Sequence, residues 1–91
     1  MCKIVLSNKF EKNFVQYAKD KKILREIQKI SDYLVKKEKL PVKYMNHKLN
    51  GFFEGCYDCH VRPDVVLIYA RYKKDKNIYF IDIGSHAKLF K

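Results

Sequence analysis

The apolar residues of this chain change their spacing at Leu40-Pro41, and that change limits the fold more than any other feature. Before it, Phe10, Phe14, Tyr17 and Ala18 and then Ile23, Ile27, Ile30 and Leu34 recur at helical spacing. After it, apolar residues alternate or run in short blocks, as strands require. Proline disfavours helix at the residue before it and offers no amide hydrogen, so the helical part closes there. Residues 3–6 form a short apolar run suited to a first strand. Asn8 with Glu11 three residues later predicts a capped helix over 8–20, Lys21-Lys22 interrupts the apolar stripe, and a second helix follows. Residues 45–49 and 52–60 are predicted strands around Asn50-Gly51, a dipeptide favoured in tight hairpin turns. Arg62-Pro63-Asp64 is a turn. Residues 65–72 are apolar on both faces at the start, as in a central strand, and the polar loop 73–77 leads to a last strand ended by Gly84. The predicted order is β-α-α-β-β-β-β, an α+β fold with two N-terminal helices packed on a mostly antiparallel sheet. At 91 residues this is one domain, 1–91.

Twenty Lys and Arg against ten Asp and Glu give a formal net charge of +10, which points to an anionic partner. Residues 1–45 hold 12 basic and 5 acidic side chains, and residues 46–91 hold 8 and 5. Charge is therefore concentrated away from the histidines, all three of which lie in the second half. This suggests that one half docks while the other does chemistry. Lys22, Lys29 and Lys36 recur every seven residues on one helix face, a solvated face by default and a phosphate track at most. The opening apolar run is too short for a signal peptide, and no stretch approaches the roughly 18 apolar residues of a spanning helix. A cytoplasmic protein with no membrane partner is expected, and its three cysteines are expected as reduced thiols.

Cys56-Tyr57-Asp58-Cys59-His60 matches the C-x-x-C-H pattern of haem attachment, but no export signal accompanies it and its surroundings read as sheet. Zinc held by Cys56, Cys59, His60 and His47 has suitable donors. On a strand, however, Cys56 and Cys59 point to opposite faces. Free thiols, no metal and no cofactor are the expectation.

The residues that carry chemistry are His47, His60, Asp64 and His86. Imidazole exchanges protons near neutral pH without special tuning. RNA is cut without metal when one group takes the 2′-hydroxyl proton, another protonates the departing 5′-oxygen, and cations hold the phosphorane charge. Lys48, Arg62, Arg71 and Lys88 lie near the acid-base residues in sequence and are the candidate RNA-binding cations.

His47-x-Leu49, the run Cys59-His60-Val61-Arg62-Pro63-Asp64-Val65-Val66-Leu67-Ile68-Tyr69, and Gly84-Ser85-His86-Ala87-Lys88-Leu89-Phe90 stand in a fixed order. With them the chain resembles the RelE superfamily of toxin-antitoxin toxins, and within it the YafQ-like mRNA interferases, over nearly its whole length. The resemblance implies a ribosome-associated endoribonuclease that cleaves mRNA and is silenced by an acidic antitoxin. By motif it implies active-site roles for His47, His60, Asp64, His86 and Phe90. His86 is the expected general acid, Asp64 or His60 the base, and Phe90 a ring stacked on or wedged beside a base. The chain departs from the pattern at Val65, where the family often has an aromatic, and at Asp82, where it often has arginine. The arginine's charge is then left to Arg62 or Arg71. The rival expectation is a non-catalytic basic module that sits on RNA or the ribosome.

Overall fold

The computed structural model describes residues 2–49, 55–71 and 76–90. The elements are β1 (Ile4–Leu6), α1 (Asn8–Phe14), a 3₁₀ turn (Val15–Tyr17), α2 (Lys21–Val35), a second 3₁₀ turn (Val42–Tyr44), β2 (His47–Lys48), β3 (Cys56–Arg62), β4 (Val65–Arg71), β5 (Ile78–Gly84) and α3 (His86–Leu89). The strands make one sheet in the order β1-β5-β4-β3-β2. β1 runs parallel to β5, and the other pairs are antiparallel. This is the α+β arrangement that the change of spacing predicts. No helix among the described residues is long and apolar enough to cross a membrane.

β4 is the middle strand, and its first six residues are all buried. Its odd positions, Val65, Leu67 and Tyr69, join Cys59 and Val61 of β3 and Ile78, Phe80 and Ile83 of β5 in the main core. Phe10, Ile23, Ile30 and Leu34 close that core from the helices. The Phe10 ring lies 5.4 Å from both Phe14 and Phe80, fixing α1 against β5. The even positions Val66, Ile68 and Ala70 are buried on the other face.

Helix boundaries follow from capping. Ser7, one residue before the predicted Asn8, is the N-cap of α1, and its hydroxyl accepts from the Phe10 amide at 3.0 Å. The same hydroxyl donates to the Ile81 carbonyl at 2.7 Å, so the cap also ties α1 to β5. The first α-helix stops at Phe14 rather than near residue 20. Asp20 must be extended to cap α2, where its carboxylate accepts from the Lys22 and Ile23 amides, and the chain tightens into 3₁₀ geometry to reach that conformation. At the other end of α2, Lys37 adopts a left-handed φ of 60°, and the Lys37 and Glu38 amides satisfy the Leu34 and Tyr33 carbonyls.

Residues 45–49 yield only the two-residue β2, because Met45 is left-handed at φ 47° and ends the preceding 3₁₀ turn. The Asn50-Gly51 turn, the start of the predicted 52–60 strand, Tyr72 and most of the predicted 73–77 loop lie outside the described residues. The short helix α3 has no counterpart in the sequence reading. Its signal is Ser85, whose side chain accepts from the Lys88 amide.

Candidate active site

Register brings the acid-base residues to one end of the sheet. His60 pairs with Val66, and Val66 with Gly84, so these three form a cross-strand row. The backbones of β3 and β5 on that row are roughly 10 Å apart, two strand spacings. His86 stands two residues beyond Gly84, and Asp64 sits in the two-residue turn between β3 and β4 at the same end. Two residues inward, past the row of Cys59, Leu67 and Ile83, the residues His47, Asp58, Ile68 and Asp82 form another row. Directly paired residues share a face and strand side chains alternate, so His47, Asp58 and His60 face the same side, opposite the helices. His60, Asp64 and His86 thus share an end of the sheet, and His47 lies two residues in from it.

The side chains differ in exposure. His47 is exposed on edge strand β2, whereas Asp58 opposite it is buried. Their Nδ1 and Oδ1 atoms are 3.6 Å apart. His60 is half-buried and Asp64 exposed. Burial, with the charge of Asp64 added to it, holds the Tyr17 phenol above its ordinary pKa. His86, exposed in the first turn of α3, packs its ring 4.7 Å from Phe90 at a tilt of 46°. The Phe90 amide donates to the His86 carbonyl at 3.0 Å, so one tight turn holds both rings. Leu89 lies over Gly84, where an added Cβ would meet it at 3.7 Å.

The expected cations separate by position. Arg62 lies at the His60 end. Register shifts between His60 and Arg62 leave Val61 as an extra residue, so that Arg62 pairs with Val65 of the core face and turns toward α2. Lys48 pairs with Tyr57 and so faces the helix side, opposite to His47. Lys88 projects from α3 beside Lys9 and Asp82. Arg71 lies at the far end of β4, where its guanidinium donates to the Leu34 carbonyl at 3.1 Å. Asp82 is buried and structural. It accepts from Asn13 at 2.7 Å and from the Ile83 amide at 2.8 Å, and pairs with Lys9 at 3.5 Å, binding β5 to α1.

Cys56 and Cys59 fall on opposite faces, as their spacing predicts. Cys59 is fully buried, and burial aided by nearby Asp58 pushes its thiol up to about 12. Among the described residues, no three His, Cys, Asp or Glu side chains gather in a way that would hold a metal ion.

Two neighbours of the site were absent from the sequence reading. Asp58 was legible, since it stands two residues from His60 on a strand and so shares its face. Tyr17 was not, because its place within reach of the Asp64 charge depends on how α1 ends.

Residues 2–91 match the family model described as bacterial toxin of type II toxin-antitoxin system, YafQ. The mRNA interferase toxin YafQ of Escherichia coli K12 is 45% identical over 51 residues, 56% of this chain and 53% of that protein. The chain thus aligns with about half the length of that curated relative. Among solved structures, a metal-bound toxin from Helicobacter pylori has a TM-score of 0.88 at 31% identity, covering 99% of this chain and 100% of that one. The YafQ of the Escherichia coli DinJ-YafQ complex has a TM-score of 0.81 at 32% identity, covering 97% of each chain. A match along almost every residue, joined to a shared fold at about a third identity, places this chain in the YafQ family of bacterial toxins of type II toxin-antitoxin systems.

Proposed function

We propose that this protein is an endoribonuclease that cleaves mRNA, on the translating ribosome, by attack of the 2′-hydroxyl on the adjacent phosphate. The observation that carries the reading is the shared end of the sheet. Two imidazoles and a carboxylate from β3, the β3–β4 turn and α3 lie at the end of the sheet marked by one cross-strand row, with His47 and Asp58 two residues further in. Asp64 or His60 takes the 2′-hydroxyl proton. His86 gives a proton to the departing 5′-oxygen, and Phe90, packed on His86, presents its ring to a base. Arg62 is the expected cation nearest this end. Lys48 and Lys88 serve RNA from flanking positions, and Arg71 contributes at a distance through the fold.

The partner in this reading is an acidic antitoxin whose arm folds over the sheet and covers His60, Asp64 and His86, in keeping with the complex formed by the Escherichia coli relative. Such a segment brings carboxylates to the cations that RNA phosphates otherwise use. The working compartment is the cytoplasm.

The test is cleavage of translated mRNA with and without chelator, followed by analysis of the product ends. A 2′,3′-cyclic or 3′-phosphate, formed at full rate in chelator, is expected. Products with 5′-phosphate, or activity lost to chelator, overturn the mechanism, and the metal-bound Helicobacter pylori relative makes the chelator arm pointed. One observation favours the rival binding module: buried Asp82 is fully engaged with α1 at a position where arginine is frequent in the family. Ribosome binding without any cleavage is the outcome that module requires.

A further inference from the structure

A cleft of about 420 Å³ opens beside the His60 end but on the helix side of the sheet. Lys22, Arg25, Glu26 and Lys29 line it from successive turns of α2, at the i, i+3, i+4 and i+7 positions of one stripe. Lys43 and Tyr44 line it from the second 3₁₀ turn, and residues 60–63 from the end of β3. Five cations therefore face one carboxylate. Three elements distant in sequence contribute them, which separates this cleft from a helix with a solvated charged face. Lys36, which continues the seven-residue spacing of Lys22 and Lys29, lies outside it, beside Asp32, Tyr33 and Glu38.

The cleft is built rather than incidental. The buried Tyr44 donates its hydroxyl to Glu26 at 2.7 Å, while Lys29 and Lys43 each stand 3.7 Å from the same carboxylate. Lys43 also lies 4.9 Å above the Tyr44 ring. Glu26 holds two lysines in place without cancelling the cleft's charge, and its carboxyl lies below the ordinary range, chiefly through the Tyr44 hydrogen bond. Lys22, Arg25 and Arg62 have no ion pair among the described contacts of the cleft. Arg62 is aimed there by the bulge at Val61, and a guanidinium offers the forked donors that suit phosphate. His60 lies on the boundary of the cleft and of the acid-base row.

We propose that this cleft binds an internucleotide phosphate of RNA, on the same strand whose scissile linkage lies at the His60 end. It acts as a subsite that holds the strand one step away from the reacting phosphate. The proposal rests on the RNA-cleaving reading for the identity of the strand, and on the cleft alone for the anion.

The test is direct binding of a short 2′-O-methyl RNA, which cannot undergo 2′-hydroxyl attack, measured across salt concentrations. Two further arms use ribosomes free of mRNA and polyglutamate. Arg25→Ala/Lys29→Ala alters two exposed side chains of α2, leaves its buried Ile23, Ile30 and Leu34 in place and keeps the fold. It should lower the slope of log K against log salt for the oligonucleotide by about 0.7, the value for one single-strand phosphate. Glu26→Gln keeps an acceptor for Tyr44, removes the charge, and should tighten RNA binding roughly two- to fivefold, the scale of one exposed ion pair. An unchanged oligonucleotide slope overturns the proposal. A loss confined to ribosomes overturns the assignment to the substrate strand, and a loss confined to polyglutamate reassigns the cleft to protein carboxylates. If wild type binds with the expected slopes but cuts nothing, the cleft stands and the catalytic reading fails.

Discussion

The buried carboxylate of Asp58 stands opposite the exposed imidazole of His47, with Oδ1 and Nδ1 3.6 Å apart, and among the described residues that oxygen has no hydrogen-bond donor. A carboxylate removed from water needs a partner, and His47 is the group placed to be one. His47→Ala should therefore destabilise the protein by up to about 1 kcal/mol, the scale of an ion pair with one exposed partner. Adding Asp58→Asn should return most of that loss. Denaturant melts of both single variants and the double variant test this, and additive losses would show that the two residues do not interact.

His86→Ala and Asp64→Ala should each lower cleavage at least about a hundredfold, the lower bound for an acid-base role. Both side chains are exposed, so the melts of the variants should match wild type. A His86→Ala protein that cuts at the original rate removes His86 from the mechanism.

Arg71→Ala should act on the fold and not on RNA. Its guanidinium gives the Leu34 carbonyl a second donor beside the Lys37 amide, at the opposite end of β4 from the acid-base row. A loss of about 1.5–3 kcal/mol is expected for a hydrogen bond to a charged group, with the salt dependence of RNA binding unchanged. A shallower salt slope with normal stability would return Arg71 to the RNA-binding set.

Glu26 gives stability a defined dependence on pH. Its folded pKa is depressed, first by the Tyr44 hydroxyl and then by Lys43 and Lys29, so near its titration the unfolded chain binds the proton more readily. The contribution is fully present above the unfolded glutamate value of about 4.3 and is lost as pH falls through the folded value. Wild type should therefore lose more stability than Glu26→Gln on acidification below that value, while the two respond alike between pH 6 and 8. Parallel curves through the acid range would deny Glu26 this role.

Cys59 should resist alkylation until the protein unfolds. It is fully buried and its thiol is pushed up to about 12, which removes both access and thiolate. Mass counting of modified cysteines before and after denaturation provides the measurement, and rapid native labelling at Cys59 would contradict the core placement.

Much of this molecule was readable from spacing. Alternation along residues 56–62 and the apolar block at 65–70 set the faces of β3 and β4, and the break at Pro41 divided helix from sheet. The common sheet end of His60, Asp64 and His86 followed once those strands were antiparallel neighbours, because the β3–β4 turn and the end of β5 lie at the same end. What escaped depended on competition or on distance in sequence. Asp20 claims α2 as its cap and shortens α1, which residue spacing along α1 does not encode. The bulge at Val61 turns Arg62 away from the face that alternation assigns to it. Arg71, close in sequence to the candidate acid-base residues, is removed from His60, Asp64 and His86 by the length of one strand.

The parallel pairing of β1 with β5 has a consequence for how the protein comes into being. Lys3 meets Asn77, and Ser7 meets Ile81, across 74 residues of chain. A nascent polypeptide holding only the two helices has no edge on which to place its first strand and no surface to bury Phe10. The acid-base residues all come after residue 46, and His86 is made after every strand. The sheet closes only once β5 has been made, and His86 follows two residues after Gly84, so a chain that stops short of α3 has its core residues but lacks His86. The last of the proposed acid-base groups thus joins a sheet that is already closed.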